Sequence, residues 1–347
     1  MLLQPIERRA DLVPPTNGLH LHHLRYTLRA EESLALDQHP GSALRGALFH
    51  ALLQRFCALP QQEECATCPL VQSCPVAALV APMRDGPQRG RDVPRPFVIR
   101  PPLVASYGEE GMQLEAGQRT HFDLMLIGSA ARLFPYVVMS TAVLQGSGLG
   151  RPLRSNGGRR GRFTVEEIVA THPFTGQEAV LYRAGQQQAS VPELAITEAD
   201  VQARAAHMAD DAMQIRFLTP TRLISAGKIT HEPDPLVLIS RLAERLDGLE
   251  REYAPVHISA DPTPTVGRWR AVAEQGGLHL AHHDTIWVDT HSYSTRQQRR
   301  TPMGGFIGTA HLTGDIRHDL RELLVWGELL HVGKDVVKGN GWYQIEG

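Results

Sequence analysis

The sequence lacks most features that mark a familiar protein class. Among 347 residues there are four cysteines, all between positions 57 and 74, so no disulfide framework spans the chain. Aromatic residues are sparse at 6%. No apolar run approaches the roughly 20 residues of a membrane helix. The N-terminal stretch from Met1 to Pro15 has no apolar core, so a secretory signal is not expected and a cytoplasmic location is. Charge of one sign is missing too: 35 Lys and Arg face 37 Asp and Glu, for a net charge of -2. That total argues against a polybasic nucleic-acid binder, though not against one whose charge is segregated by segment.

Several catalytic signatures are also absent. Gly327-x5-Gly333-Lys334 is one residue too long for a phosphate-binding P-loop, and Asp335 stands where Ser or Thr would hold magnesium. The turn Gly146-Ser147-Gly148-Leu149-Gly150 is not G-x-G-x-x-G, and it follows a predicted helix, which disfavours a dinucleotide fold. There is no G-x-S-x-G elbow. His279, His282, His283 and Asp284 come close together, but no H-E-x-x-H motif or carboxylate triad accompanies them.

What is present is more informative. The length suits about two domains. The chain carries 17 histidines, neutral bases near pH 7. It also has 31 glycines and 24 prolines. The cysteines are spaced C-x7-C-x2-C-x5-C as Cys57, Cys65, Cys68 and Cys74. Four thiolates suit a closed, structural zinc site. An iron–sulfur cluster is the lesser alternative, given Cys74-Pro75. Disulfides and free thiols are the bland readings.

Hydrophobic periodicity predicts one topology twice. In the second half, strands are expected over Met213–Ser225, Thr285–Tyr293, Gly305–Leu312 and Val336–Ile345, with helices over Pro235–Tyr253 and Arg317–His331. In the first half, strands are expected over Leu19–Arg29, Pro96–Val104, His121–Ile127 and Arg162–Val169. Helices are expected over Ser42–Cys57, with Ser42 as N-cap, and over Ser129–Leu144. The order βαββαβ is the ferredoxin-like motif. The expected class is therefore α+β, with tandem ferredoxin-like domains. Residues 1–183 form the first domain, with the cysteine module inserted over about 57–95. Residues 184–211 form a linker, and 212–347 the second domain.

Basic residues gather beside the glycine turns. Arg151, Arg154, Arg159, Arg160 and Arg162 follow the first turn, with no acid between Gln145 and Val165. Arg296, Arg299 and Arg300 precede Gly304-Gly305, and Lys334 and Lys338 flank the turn from Gly333 to Gly341. Exposed amides beside cations suit a phosphate backbone. Tight turns beside solvated arginines are the plain alternative. The acids gather elsewhere, at Glu198, Asp200, Asp210 and Asp211 and on the helix carrying Glu244, Asp247, Glu250 and Glu252.

A family resemblance rests on four C-terminal blocks: Ser292-Tyr293-Ser294-Thr295-Arg296-Gln297, Met303-Gly304-Gly305-Phe306-Ile307-Gly308, Leu330-His331-Val332-Gly333-Lys334, and Lys338-Gly339-Asn340-Gly341-Trp342-Tyr343. With Leu218-Thr219-Pro220-Thr221-Arg222-Leu223, Leu44-Arg45-Gly46-Ala47-Leu48 and the cysteine module, the chain resembles the CRISPR-associated RAMP endoribonucleases that process precursor CRISPR RNA. One departure is Asn340, where the family more often has Leu or Phe between two glycines. The resemblance implies binding of repeat RNA, with other CRISPR effector subunits as possible partners and no membrane. It also implies cleavage without a catalytic metal, giving a 2′,3′-cyclic phosphate.

The family's base sits in or beside the first helix, which nominates His39 and His50, with Arg45 as a phosphate contact. His331 is a third candidate, because a helix C-terminus favours its imidazolium. Tyr293 would orient the ribose. Gln297, Gly304, Gly305, Gly308, Gly333, Lys334, Lys338, Gly339 and Gly341, with Arg151, Arg154 and Arg296, would hold RNA. The competing readings are a non-catalytic RAMP subunit that only binds the repeat and, from another class, a zinc-stapled DNA-binding regulator. No helix-turn-helix supports the latter.

Overall fold

The computed structural model describes residues 18–62, 64–83, 93–103, 111–255, 263–294 and 299–346. The first half runs β1 (Leu21–Ala30), α1 (Gly41–Phe56), α2 (Pro75–Val80), β2 (Phe97–Arg100), β3 (Arg119–Ile127), α3 (Phe134–Met139), α4 (Thr141–Ser147), β4 (Phe163–Thr171) and β5 (Glu178–Arg183). After α5 (Glu198–Ala206), the second half runs β6 (Ala212–Thr221), α6 (Pro235–Tyr253), α7 (Thr263–Gln275), β7 (His279–Val288), β8 (Gly305–Thr313), α8 (His318–Leu330) and β9 (Tyr343–Glu346).

The two sheets repeat one strand order. The first reads β2-β3-β1-β4, with β5 added at the edge, and the second reads β7-β8-β6-β9. Neighbouring strands are antiparallel throughout both sheets. This is the ferredoxin-like arrangement, present twice.

Local chemistry explains the elements. Alternation on β1 sends Leu24, Tyr26 and Leu28 into a core formed with α1, α3 and α4. The opposite face of this sheet, with Leu21, Val98, Met125 and Ile127, packs into the core of α6 and α8. The two domains thus share an apolar seam. α6 starts where Asp234 accepts from the amides of Leu236 and Val237, at 2.9 and 3.0 Å, with Pro235 in the first turn. Leu238, Ile239, Leu242, Leu246 and Leu249 bury one stripe of it.

Several expected elements differ. α1 begins at Gly41 behind Pro40, and Ser42 makes no capping bond. Its hydroxyl lies 3.3 Å from the Met303 sulfur instead. The helix expected over Ser129–Leu144 is a 3-10 turn (Gly128–Leu133) followed by α3 and α4, which part at Ser140. Pro135 and the β-branched Val137 and Val138 weaken a continuous helix there. The segment 184–211 is more than a connector. Ile196 bridges to Leu21, and α5 carries Val201 and Ala205 into the seam core. α5 starts at a capping box between Thr197 and Asp200. The strand expected over Thr285–Tyr293 divides into β7 and a separate ribbon that pairs His291–Ser294 with Arg299–Pro302. Val336–Ile345 divides into a 3-10 turn (Val336–Lys338) and β9.

One half-buried acid on α6 gives a stability prediction. Burial, then the charges of Asp247 and Glu198, push the Glu250 carboxyl up to about 8, and its Oε1 has no hydrogen-bond partner. A carboxyl whose folded pKa lies above its unfolded one loses stabilisation as pH rises from about 4.5 through about 8. Glu250→Gln should therefore raise the melting temperature at pH 8.5 more than at pH 5. Equal shifts at both pH values would contradict this placement of the charge.

Candidate cleavage site and nucleic-acid interface

The N-terminus of α1 is docked on the glycine-rich loop of the other domain. A Cβ on Gly41 would overlap the Lys338 carbonyl, so only glycine permits the approach. His39 lies at this junction, two residues before the helix. It is 8% exposed, with the Lys338 backbone and the Asn340 side chain beside its ring. Neither ring nitrogen completes a hydrogen bond. Burial, opposed by these neighbours and by Asp335, lowers its pKa to about 4. His39 is therefore a neutral imidazole at physiological pH, with an unused acceptor.

Lys338 supplies the nearest cation. Its ammonium lies 2.8 Å from Asp335 Oδ1 and 3.3 Å from Ser292 Oγ. Asn340 is fully buried and braces the loop by donating to the Met303 carbonyl at 2.9 Å. Leucine or phenylalanine there could not make that bond. Sequence reasoning missed these braces. The i,i+3 spacing of Asp335 and Lys338 was the available signal.

His331 is not the imidazolium expected at a helix C-terminus. It is 0% exposed. Burial, then the charges of Arg100 and Arg245, hold it well below the ordinary histidine range. Its Nδ1 donates to the Asn340 carbonyl at 3.1 Å, and its ring lies parallel to Trp342. Desolvation outweighs the helix dipole here, and His331 supports the loop from beneath. His50 is exposed on α1, nine residues beyond Gly41, or about 13 Å along the axis. Arg45 lies one turn into α1, with its guanidinium over the Phe49 ring at 5.1 Å. The junction thus gathers His39, Lys338 and Asn340, with His331 beneath and His50 outside.

The glycines expected to cradle phosphate are also close-packed. Gly304, Gly305, Gly308, Gly333, Gly339 and Gly341 each lie against this chain's own atoms, where a Cβ would collide. They are close-packing positions between strands and loop. Lys334 is exposed on this loop. Tyr293 lies on the ribbon paired with Arg300; Arg296 and Gln297 fall outside the described residues.

A second basic feature adjoins the junction. Leu149–Leu153 and Arg159–Gly161 form a two-stranded ribbon packed beside Leu34–Ala35. Arg151 pairs with Asp37 at 3.2 Å, and Arg162 with Glu32 at 2.9 Å. The acids balancing these arginines are therefore nearer than the sequence suggested. Arg154 and Arg160 are exposed and form no ion pair among the described residues. Surface pairs contribute only about 0–1 kcal/mol, so Arg151 can exchange Asp37 for a phosphate.

The four cysteines form no disulfide among the described residues and are half-exposed. Among the described residues no three His, Cys, Asp or Glu side chains converge to hold a metal. Beyond the cysteine module, α2 packs Val76, Leu79 and Val80 into the first core. No described helix is long and apolar enough to cross a membrane.

Two ferredoxin-like sheets joined by a buried seam, with a glycine loop docked on the first helix, define a tandem ferredoxin-like protein. Residues 19–194 match a family model of an N-terminal domain (AF_1859_N), and residues 215–343 match that of the CRISPR-associated endoribonuclease Cas6. The second half of the chain thus carries a domain of the CRISPR-associated endoribonuclease Cas6 family. Among solved structures it is similar to Thermus thermophilus Cas6 (TTHB231) in a product complex. There the TM-score is 0.52 at 17% identity, covering 94% of this chain and 100% of that one. It is also similar to a partial Cas6-RT-Cas1–Cas2 complex, with a TM-score of 0.54 at 14% identity, covering 97% of this chain and 47% of that one. At such identities the likeness concerns the fold. No curated protein matches.

Proposed function

We propose that this protein binds CRISPR repeat RNA across the α1–loop junction and the arginine ribbon. It cleaves one phosphodiester there by metal-independent transesterification. His39 is the base: its neutral ring removes the 2′-hydroxyl proton, and the oxygen attacks the adjacent phosphorus. The 5′-oxygen leaves with a proton from solvent, and a 2′,3′-cyclic phosphate remains. The Lys338 ammonium offsets the charge that develops on phosphorus. RNA must part the loop edge from α1 to reach the ring. The observation that carries this reading is a buried histidine with both nitrogens unused, beside a lysine, where the two domains meet.

The testing experiment is single-turnover cleavage of the protein's own repeat RNA in EDTA. Cleavage to a cyclic phosphate is expected. Strict magnesium dependence would sink the mechanism, and binding without cleavage would leave the non-catalytic subunit reading. A structural zinc at Cys57, Cys65, Cys68 and Cys74 belongs to the proposal on its spacing alone. Elemental analysis before chelation should find one zinc per chain, and a metal-free protein would remove it.

The ribbon gives a further expectation. Arg154→Ala should weaken RNA binding about equally for all sequences and lower the salt slope by about one unit. An unchanged slope would place the RNA elsewhere.

A further inference from the structure

A cavity of about 320 Å³ opens at the domain seam, and His39 is not among its lining residues. Its walls come from the first sheet (Arg100), the β4–β5 turn (Phe174), α5 (Arg204), α8 (Glu328) and the segment entering and forming β9 (Trp342, Glu346). At that size it holds one small molecule and lies at the lower end of ligand pockets, about 300–1,000 Å³.

Its polar atoms are unbalanced towards donors. Arg100 is 8% exposed, yet its Nε has no partner. One of its terminal nitrogens donates to the Glu328 carbonyl at 2.6 Å, which fixes the guanidinium 4.9 Å over Trp342. The indole Nε1 of Trp342 is buried and also unpartnered. Arg204 donates to the Ile345 carbonyl at 3.4 Å and interacts with the charge of Glu328. Among the acids, Glu346 is already held by Gln214 and Arg216. Glu328 accepts from the Ile345 amide at 2.6 Å, and burial raises its pKa against the opposing charges of Arg204 and Arg100. A desolvated donor without a partner is costly, so buried donors of this kind are normally paired. Arg100 and Arg204 line this space, with Asp123 and Glu328 as the acids that act on Arg100, and can take an anionic ligand. Phe174 and Trp342 add aromatic surface on which a base can stack.

We infer that this cavity binds a single nucleotide, with Arg100 and Arg204 on its phosphate and Phe174 and Trp342 against its base. One source is a residue turned out of bound RNA, and the other is a free nucleoside monophosphate. The chemistry is the same for both. The site does not depend on the cleavage reaction, so a protein that failed to cleave could still bind there.

The test titrates the full-length protein with AMP, GMP, CMP and UMP separately, following tryptophan fluorescence and heat, with inorganic phosphate as comparison. At least one monophosphate should bind one-to-one and at least tenfold more tightly than phosphate. Arg204→Gln should weaken it about tenfold. Phe174→Leu, which keeps an apolar side chain, serves as a second variant if Arg204→Gln unfolds. Competition between monophosphate and repeat RNA, with weaker RNA binding in either variant, would assign the site to an RNA residue. Weakened monophosphate binding with unchanged RNA affinity would assign it to a free nucleotide. If no monophosphate binds at millimolar concentration and neither variant alters RNA affinity, the inference is wrong.

Discussion

His39→Ala should lower the single-turnover cleavage rate by about 10²–10⁴-fold, the range typical of a lost general base, while RNA affinity changes little. His50→Ala should retain nearly the full rate. The pH profile is the sharper measurement. A base acts when deprotonated, and burial holds the free-enzyme His39 near 4. kcat/KM should therefore stay level from pH 8 down to about 5 and fall only as the pH approaches 4. An ordinary solvated histidine would produce that fall near 6.5. A fall near 6.5 that disappears in His50→Ala would move the base to the exposed face of α1.

The reason the sequence could not choose among the three histidines is physical. His39, His50 and His331 differ in burial and in what faces them, and those contacts span up to about 300 residues of chain. The first helix with a nearby histidine is readable from its periodicity. Gly41 resting on Lys338 is not, because nothing in either segment encodes the other's position. The tandem topology was legible because strand alternation and the stripes of α6 and α8 are local signals. α7 was missed: Trp269, Val272 and Ala273 bury at i, i+3 and i+4, but Gly267 and the polar run around them hide the pattern. The edge strand β5 was missed because it is mostly exposed and has little alternation to read. The close packing of the glycines was not legible either: Gly333 and Gly341 rest on backbone of Arg222 and Val332, which no local pattern announces.

Gly41 provides the second large effect. Its φ lies outside the left-handed region, so alanine is conformationally allowed there and only the neighbour decides the outcome. That neighbour is the Lys338 carbonyl, a backbone group that cannot swing aside as a side chain would. Gly41→Ala should push α1 away from the loop. Overpacking of this kind typically costs about 1–3 kcal/mol. Because His39 is two residues away, cleavage should fall at least 100-fold with intact secondary structure. Gly46, five residues along the same helix, has open space where its Cβ would be. Gly46→Ala should instead gain about 0.5–1 kcal/mol from helix propensity and keep cleavage. The pair separates helix stability from docking: if Gly41→Ala cleaves as fast as the unaltered protein, contact between α1 and the glycine loop does not position the base.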